Sequence, residues 1–517
     1  MMSGKEGDGE HLTISIKDDK MGYDNPAMEQ PSQVKNRKIS NATSHEKVAV
    51  ELANNINGYN NKNTHPDNSL TSVSTNSLKL HKKPEKEYDP YDHREVKHPT
   101  TYWETLVHML KASLGTGILA MPDAFHNAGY VVATVGTIVI GFLCTYTIHI
   151  LISTEYELCR RKKLPSMNYP ATAQAAVEEG PPAIRKIAPY VPVICNIFLL
   201  MYQIGSCCIY VVFISSNIKD VVDHYHGMHY GEPSFDIRYY MLIFLLPLIL
   251  INWVRNLKYL APLSTLANIV TLISFAIIFY YMFSEVPDIH DRVAVAPFKS
   301  MPLFFGTVLF AMEAIGVVMP LENEMKEPVK FGSAFGVLNC AMLPITLLYT
   351  FVGFFGYLKY GSDVKGSITL SLPPGDVLAQ SARVMLAFAI FVTHAVSCYV
   401  AFDITWRQYV GPKVVKGKIF WEYIVRTGLV FITIILAIAI PDLELFISLI
   451  GALCLSTMGL SFPALLQLFT FWNEYEGVQF VLFFLKNLTI ILIALLGFLV
   501  GTATSVQAII VKFFAPL

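Results

Sequence analysis

Residues 105–122 read TLVHMLKASLGTGILAMP, and this stretch decides the fold. It is apolar enough to enter a bilayer, yet Ser113-Leu114-Gly115-Thr116-Gly117 interrupts it halfway and Pro122 follows. Each glycine weakens a helix by roughly 1 kcal/mol. Irregular backbone at membrane depth is tolerated only where it lines a cavity or is buried in protein. A second stretch of this kind lies at 302–326, PLFFGTVLFAMEAIGVVMPLENEMK, with Glu313-Ala314-Ile315-Gly316 at its centre and Pro320 beyond.

Working outward, a spanning helix needs about 20 mostly apolar residues. Such runs fall near 104–125, 130–154, 190–216, 237–255, 261–283, 302–322, 332–358, 378–402, 420–440, 442–466 and 478–505. The two interrupted runs are the first and the sixth, the leading members of two groups of five. Interruptions at matching places in two halves mark the binding site of inverted-repeat transporters. Glycines that merely let helices pack closely are the competing reading. Two breaks in register, one beside a carboxylate, favour transport.

The chemistry follows from the backbone. An unwound segment frees N–H groups, and the following half-helix adds partial positive charge at its N-terminus, which suits a carboxylate. The C-terminal end of the other half-helix offers free carbonyls, which suit an ammonium group. Together they accept a zwitterion. Ser113, Gly115, Thr116, Gly117, Phe310, Glu313 and Gly316 are the substrate-binding candidates.

Residues 1–100 hold 14 of the 39 Lys+Arg and 15 of the 40 Asp+Glu, but none of the 33 Phe and none of the 5 Trp. A chain with so little to bury does not offset the entropy of folding. Residues 1–98 are therefore expected to form a disordered cytoplasmic tail, and residues 99–517 the membrane domain. The tail has no signal-peptide pattern. Its Tyr23-Asp24-Asn25-Pro26 is read as a sorting signal or linker, with linker preferred. Fourteen Lys and Arg in one set of short loops against six in the other place the N-terminus in the cytoplasm. An odd helix count then leaves the C-terminus extracellular or lumenal. A net charge of −1 gives no reason to expect a nucleic-acid partner. Of the eight cysteines, seven lie in apolar runs and Cys159 beside basic residues, so no disulfide framework is expected.

The 105–122 and 302–326 stretches, with the order of spans and loops from about residue 98 onward, resemble the proton-coupled amino acid transporters, a branch of the amino acid/auxin permease group. The resemblance extends to insect members and does not cover the tail. It implies an all-α polytopic fold of the LeuT-like (APC) type, a five-plus-five inverted repeat with an eleventh helix. It also implies proton-driven uptake of small neutral amino acids, with the proton as coupling ion and no cofactor.

Ionisable residues inside the spans come next. His108 lies seven residues before Gly115, about two turns, so both share one side of the helix. Histidine titrates near pH 6.5, which suits coupling to an acidic compartment, and His108 matches the family histidine linked to proton coupling. The alternative is an interfacial histidine beside Glu104. Glu313 carries a charge that costs several kcal/mol at mid-membrane unless it is paired, hydrated or protonated. It is read as a proton or substrate contact, against a carboxyl kept protonated as a structural donor. Tyr202, Thr393, His394 and Ser397 are cavity-lining candidates; His394, where the family often has an aromatic, either lines the cavity or bonds a neighbouring carbonyl. The i, i+4 pairs Glu422–Arg426, Glu322–Lys326 and Asp403–Arg407 read as solvated ion pairs at cytoplasmic helix ends. His224, His226 and His229 read as a flexible outer loop rather than a zinc site. Gly332 and Gly336 read as an intrachain packing motif.

The function expected from the sequence is proton-coupled symport of small amino acids across a plasma or lysosomal membrane. Sodium coupling and an amino-acid sensor, signalling through cytoplasmic partners on the tail, are the rivals. No GxxxxGK[ST], HExxH, GxSxG or Cys-x-x-Cys pattern points to an enzyme.

Overall fold

A computed structural model describes residues 88–113, 115–230, 234–312 and 315–513. Glu313, Tyr23–Pro26 and the rest of the tail through Glu87 lie outside the described residues. The compact unit begins at Tyr88, eleven residues before the start expected from composition.

The first span is two helices, α1 (Tyr102–Ser113) and α2 (Thr116–Ala128). The second is α3 (Tyr130–Lys162), which ends where Lys163 turns left-handed after three basic residues suited to the negative end of the helix dipole. A short helix that hydropathy did not reveal, α4 (Tyr169–Glu179), is capped by the Asn168 side chain. Then come α5 (Val191–Tyr230), α6 (Ile237–Asn252) and α7 (Leu257–Phe283). The sixth span is again double, α8 (Met301–Ala311) and α9 (Ile315–Asn323). α10 (Val337–Tyr360), the single turn α11 (Ile368–Ser371), α12 (Val377–Ile404) and α13 (Lys418–Ala439) follow. The tenth span joins α14 (Leu443–Ile450) and α15 (Phe462–Thr470) through a π-helix, Gly451–Ser461. The last joins α16 (Gly477–Leu496) and α17 (Thr502–Phe513) in the same manner.

Among the described residues, nine helical stretches are long and apolar enough to cross a bilayer. With the shorter α6 and the divided α1–α2 the order matches the eleven runs in the sequence. The breaks fall in the first and sixth spans, so the chain has the all-α, LeuT-like arrangement expected of it. Stripes such as Val135, Val139 and Phe142 on α3 and Ile243, Leu246 and Leu250 on α6 are exposed at helical spacing. In water these would be a liability; here they are the lipid-facing surface. The third and eighth spans, α5 and α12, pack along one another and form the interior scaffold.

Several local expectations need correction. Gly332 and Gly336 precede α10, and Gly336 is its N-cap, so they form no helix-packing motif. A Cβ on Gly332 would meet only the His149 ring, at 3.9 Å. His224, His226 and His229 sit on the last turns of α5 rather than in a loop, with His226 against Tyr230 at 4.7 Å. Helix α5 continues past the apolar run because hydropathy reports where lipid ends, not where a helix ends.

Candidate functional site

The first break opens where α1 stops at Ser113. The Ser113 Oγ donates to the Met109 carbonyl at 3.1 Å. The Ser113 carbonyl, freed from helical bonding, accepts from the Gly115 N–H at 3.0 Å and from the Tyr349 hydroxyl of α10. Gly115 is extended, with φ −120° and ψ −154°, and caps α2 with no side-chain hydrogen bond. The first amides of α2 therefore keep the unsatisfied donors and partial positive charge of a helix start. A Cβ at Gly115 would meet nothing within 4 Å, so this position faces open space.

The second break opens where α8 stops at Ala311, and the Met312 N–H returns to the Val308 carbonyl at 2.9 Å. Phe310, Ala311 and Met312 are buried. α9 begins at Ile315, and Gly316 is exposed near its start.

The two breaks meet. A Cβ on Gly117 would lie 2.6 Å from the Ala311 Cα and 3.4 Å from its N. The first turn of α2 thus touches the last turn of α8, bringing a helix N-terminus and a helix C-terminus together at membrane depth. From the scaffold, Tyr202 on α5 approaches Phe310 with ring centroids 6.4 Å apart and planes at 48°. Behind α8, a Cβ on Gly451 would stand 1.9 Å from the Gly306 carbonyl oxygen, so the π-helix of the tenth span lies flush on α8. π-Helical segments often sit at functional sites.

The remaining candidates are placed elsewhere. His108 is exposed on α1. His394 is fully buried, its Nδ1 3.4 Å from the Asn252 amide nitrogen, and Cys207 of α5 donates to its carbonyl at 4.0 Å. That puts it inside the α5–α6–α12 packing. Thr393 Oγ1 donates to the Ala389 carbonyl of its own helix at 2.9 Å, and Ser397 is half-buried.

The ion pairs differ from the local pattern. Glu322 does not pair with Lys326. Arg94 donates to its two carboxylate oxygens at 3.1 Å each and to its carbonyl at 3.1 Å. Arg94 also donates to the Pro165 carbonyl at 3.1 Å and lies 3.9 Å from Glu155. Both carboxylates are buried. Burial, and then the nearby Glu322 carboxylate, pushes the Tyr91 hydroxyl pKa up, so it stays protonated beside them. Next to this cluster the Thr100 N–H donates to the Glu324 carbonyl at 2.8 Å, and the Lys326 N–H to the Thr100 carbonyl at 2.9 Å. The segment entering α1 is thus strapped to the end of α9, joining the outlying halves of both broken spans. Glu422–Arg426 does form, at 3.2 Å, but it is buried rather than solvated. Arg255 joins it at 2.9 Å, and the Arg426 guanidinium lies 3.9 Å over the Phe402 ring. Asp403–Arg407 forms at 2.7 Å as its spacing suggests. Arg94 was missed because composition assigned it to the tail; Tyr88 and Tyr91 beside it were the available signal.

A polytopic helical fold whose two broken helices meet at mid-span defines a carrier. The family described as transmembrane amino acid transporter protein matches residues 98–507, and the chain belongs to that family. Among curated relatives, the proton-coupled amino acid transporter-like protein pathetic of Drosophila melanogaster is 38% identical over 425 residues, covering 82% of this chain and 88% of that protein. The probable amino acid transporter skat-1 of Caenorhabditis elegans is 26% identical, covering 78% and 89%. Among solved structures, the inward-facing conformation of Mhp1 aligns with a TM-score of 0.46 at 12% identity, covering 81% of this chain and 91% of that one. A sodium-coupled sialic acid symporter aligns with a TM-score of 0.42 at 14% identity, covering 83% and 94%.

Proposed function

We propose that the chain is a secondary active symporter that carries small neutral amino acids with protons toward the cytoplasm, across a plasma or lysosomal membrane. The contact of Gly117 with Ala311, beside an open Gly115, carries this reading. The uncapped amides of α2 hold the substrate carboxylate, and the last carbonyls of α8 hold its ammonium group. Tyr202 and Phe310 bound the space left for a side chain. His108 and Glu313 serve proton coupling, His108 from the exposed face of α1. In transport, α1–α2 and α8–α9 rock against the α5–α12 scaffold. The membrane potential adds ~2.3 kcal/mol per charge per 100 mV to the pH difference. The relative named for proton coupling supports this choice of ion.

Electrophysiology in choline medium tests it directly. Glycine, alanine and proline are expected to evoke inward currents several-fold larger near pH 5.5 than near pH 7.5, the range across which histidine titrates. Charged amino acids are expected to evoke little. Currents that demand sodium and ignore pH would overturn the assignment.

A further inference from the structure

α2 carries a group that the substrate site does not use. Asp123 follows Pro122 directly and is only 3% exposed. Its Oδ2 is buried with no hydrogen-bond partner. One turn on, the Asn127 amide donates to the Asp123 carbonyl at 3.2 Å and to Glu444 Oε1 at 2.9 Å. A carboxylate from α14 is thereby fixed beside the same turn of α2. Asp442, the N-cap of α14, accepts from the Leu445 N–H at 3.0 Å and is ion-paired with Lys512 of α17.

Among the described residues, the charged groups that act on Asp123 are Glu444, Asp442 and Lys512. The Lys512 ammonium is committed to Asp442, and its side chain is 56% exposed. His126, half-buried against Tyr357 of α10, faces Glu444. α10 seals the turn through two glycines: a Cβ on Gly356 would stand 2.4 Å from the Pro122 ring, and one on Gly353 would stand 2.3 Å from Phe125. α11 closes over Gly356 with Ile368.

An ionised carboxylate without a hydrogen bond or cation is costly in such a place, and a second carboxylate beside it adds repulsion. A proton removes both penalties. We infer that Asp123, set against Glu444 through Asn127, is a proton-binding site of the transport cycle. The inference rests on the symport reading above. Asp123 takes a proton onto its carboxylate oxygen from the membrane face that holds the 284–300 segment, outside in the proposed orientation, and returns it to the cytoplasm. Ala296 donates its N–H to the Ala128 carbonyl at 3.0 Å, which places the end of α2 at that face. Coupling follows from position: Asp123 rides seven residues, ~10 Å, beyond the α2 amides that hold the substrate carboxylate. Proton and substrate therefore bias the same half-helix.

The test uses the full chain reconstituted in liposomes, at matched protein levels. Asp123→Asn keeps the shape and stays neutral at every pH. Amino-acid-evoked proton influx is expected to fall about a hundredfold, the lower end of what a positioned proton-transfer group contributes. Exchange of labelled for unlabelled amino acid at equal pH, which requires no proton release, continues. Glu444→Gln removes the facing charge, so the midpoint of uptake moves toward acid. Wild-type influx and an unmoved midpoint in these variants overturn the inference; if Asp123→Asn does not insert, an unmoved Glu444→Gln midpoint alone does so. A wild-type chain with no proton influx overturns the symport reading instead, and this inference with it.

Discussion

Gly117→Ala is expected to lose most transport, whereas Gly115→Ala, two residues away, is expected to fold as well as the parent. The first methyl would stand 2.6 Å from the Ala311 Cα, against backbone that cannot rotate aside. The second meets nothing within 4 Å, and the Gly115 backbone is one that any residue adopts. Overpacking of a close interface costs about 1–3 kcal/mol. Here the cost falls on a contact that brings the α2 amides to the α8 carbonyls. Thermal unfolding in detergent together with uptake separates the two positions. A Gly117→Ala chain as stable and active as Gly115→Ala would mean that the break points do not touch.

Arg94→Ala is expected to destabilise the fold more than any substitution on the lipid-facing stripes. It leaves Glu155 and Glu322 buried side by side without their cation, and breaking one partner out of a buried pair costs about 3–5 kcal/mol. It also removes the Arg94 bonds to the Pro165 and Glu322 carbonyls, while the Thr100 backbone bonds to the end of α9 stay in place. Arg94→Lys is expected to restore only part of the loss, since an ammonium group cannot make the two-pronged contact with Glu322. Adding Glu322→Gln to Arg94→Ala is expected to recover part of the loss, because one of the two stranded charges goes with it. Melting temperatures across these four chains check the scheme. An Arg94→Ala chain that melts like the parent would show that the Arg94 cluster holds nothing.

The eleven spans could be read from the sequence because lipid demands long apolar runs, and the two breaks because glycines flank a threonine within one of them. The break in the sixth span was legible from its Gly316 and its place in the count, although α8 stops at Ala311 with no glycine there. What escaped was tertiary. The i, i+4 spacing of Glu322 and Lys326 suggests a local pair, yet the partner comes from Arg94, 228 residues away in sequence. Asp123 passed unnoticed inside an apolar run, since nothing in the local pattern foretells that α14 brings Glu444 to the same turn. Composition set the tail boundary near residue 98, while the residues from Tyr88 already pack on the helical body through Arg94. Close approaches such as Gly306 with Gly451 belong to this class too: glycine can be seen in a sequence, but not which backbone it admits.

The most direct measurement is the rate at which a thiol reagent labels a Gly115→Cys chain, read above the labelling of the unsubstituted chain, with and without substrate. Gly115 faces open space at the mouth of α2, so the new thiol is expected to react, and saturating glycine or alanine is expected to slow that reaction several-fold. Labelling at the same rate with and without amino acid, in a chain that still transports, would contradict a binding site at the meeting point of the two broken helices.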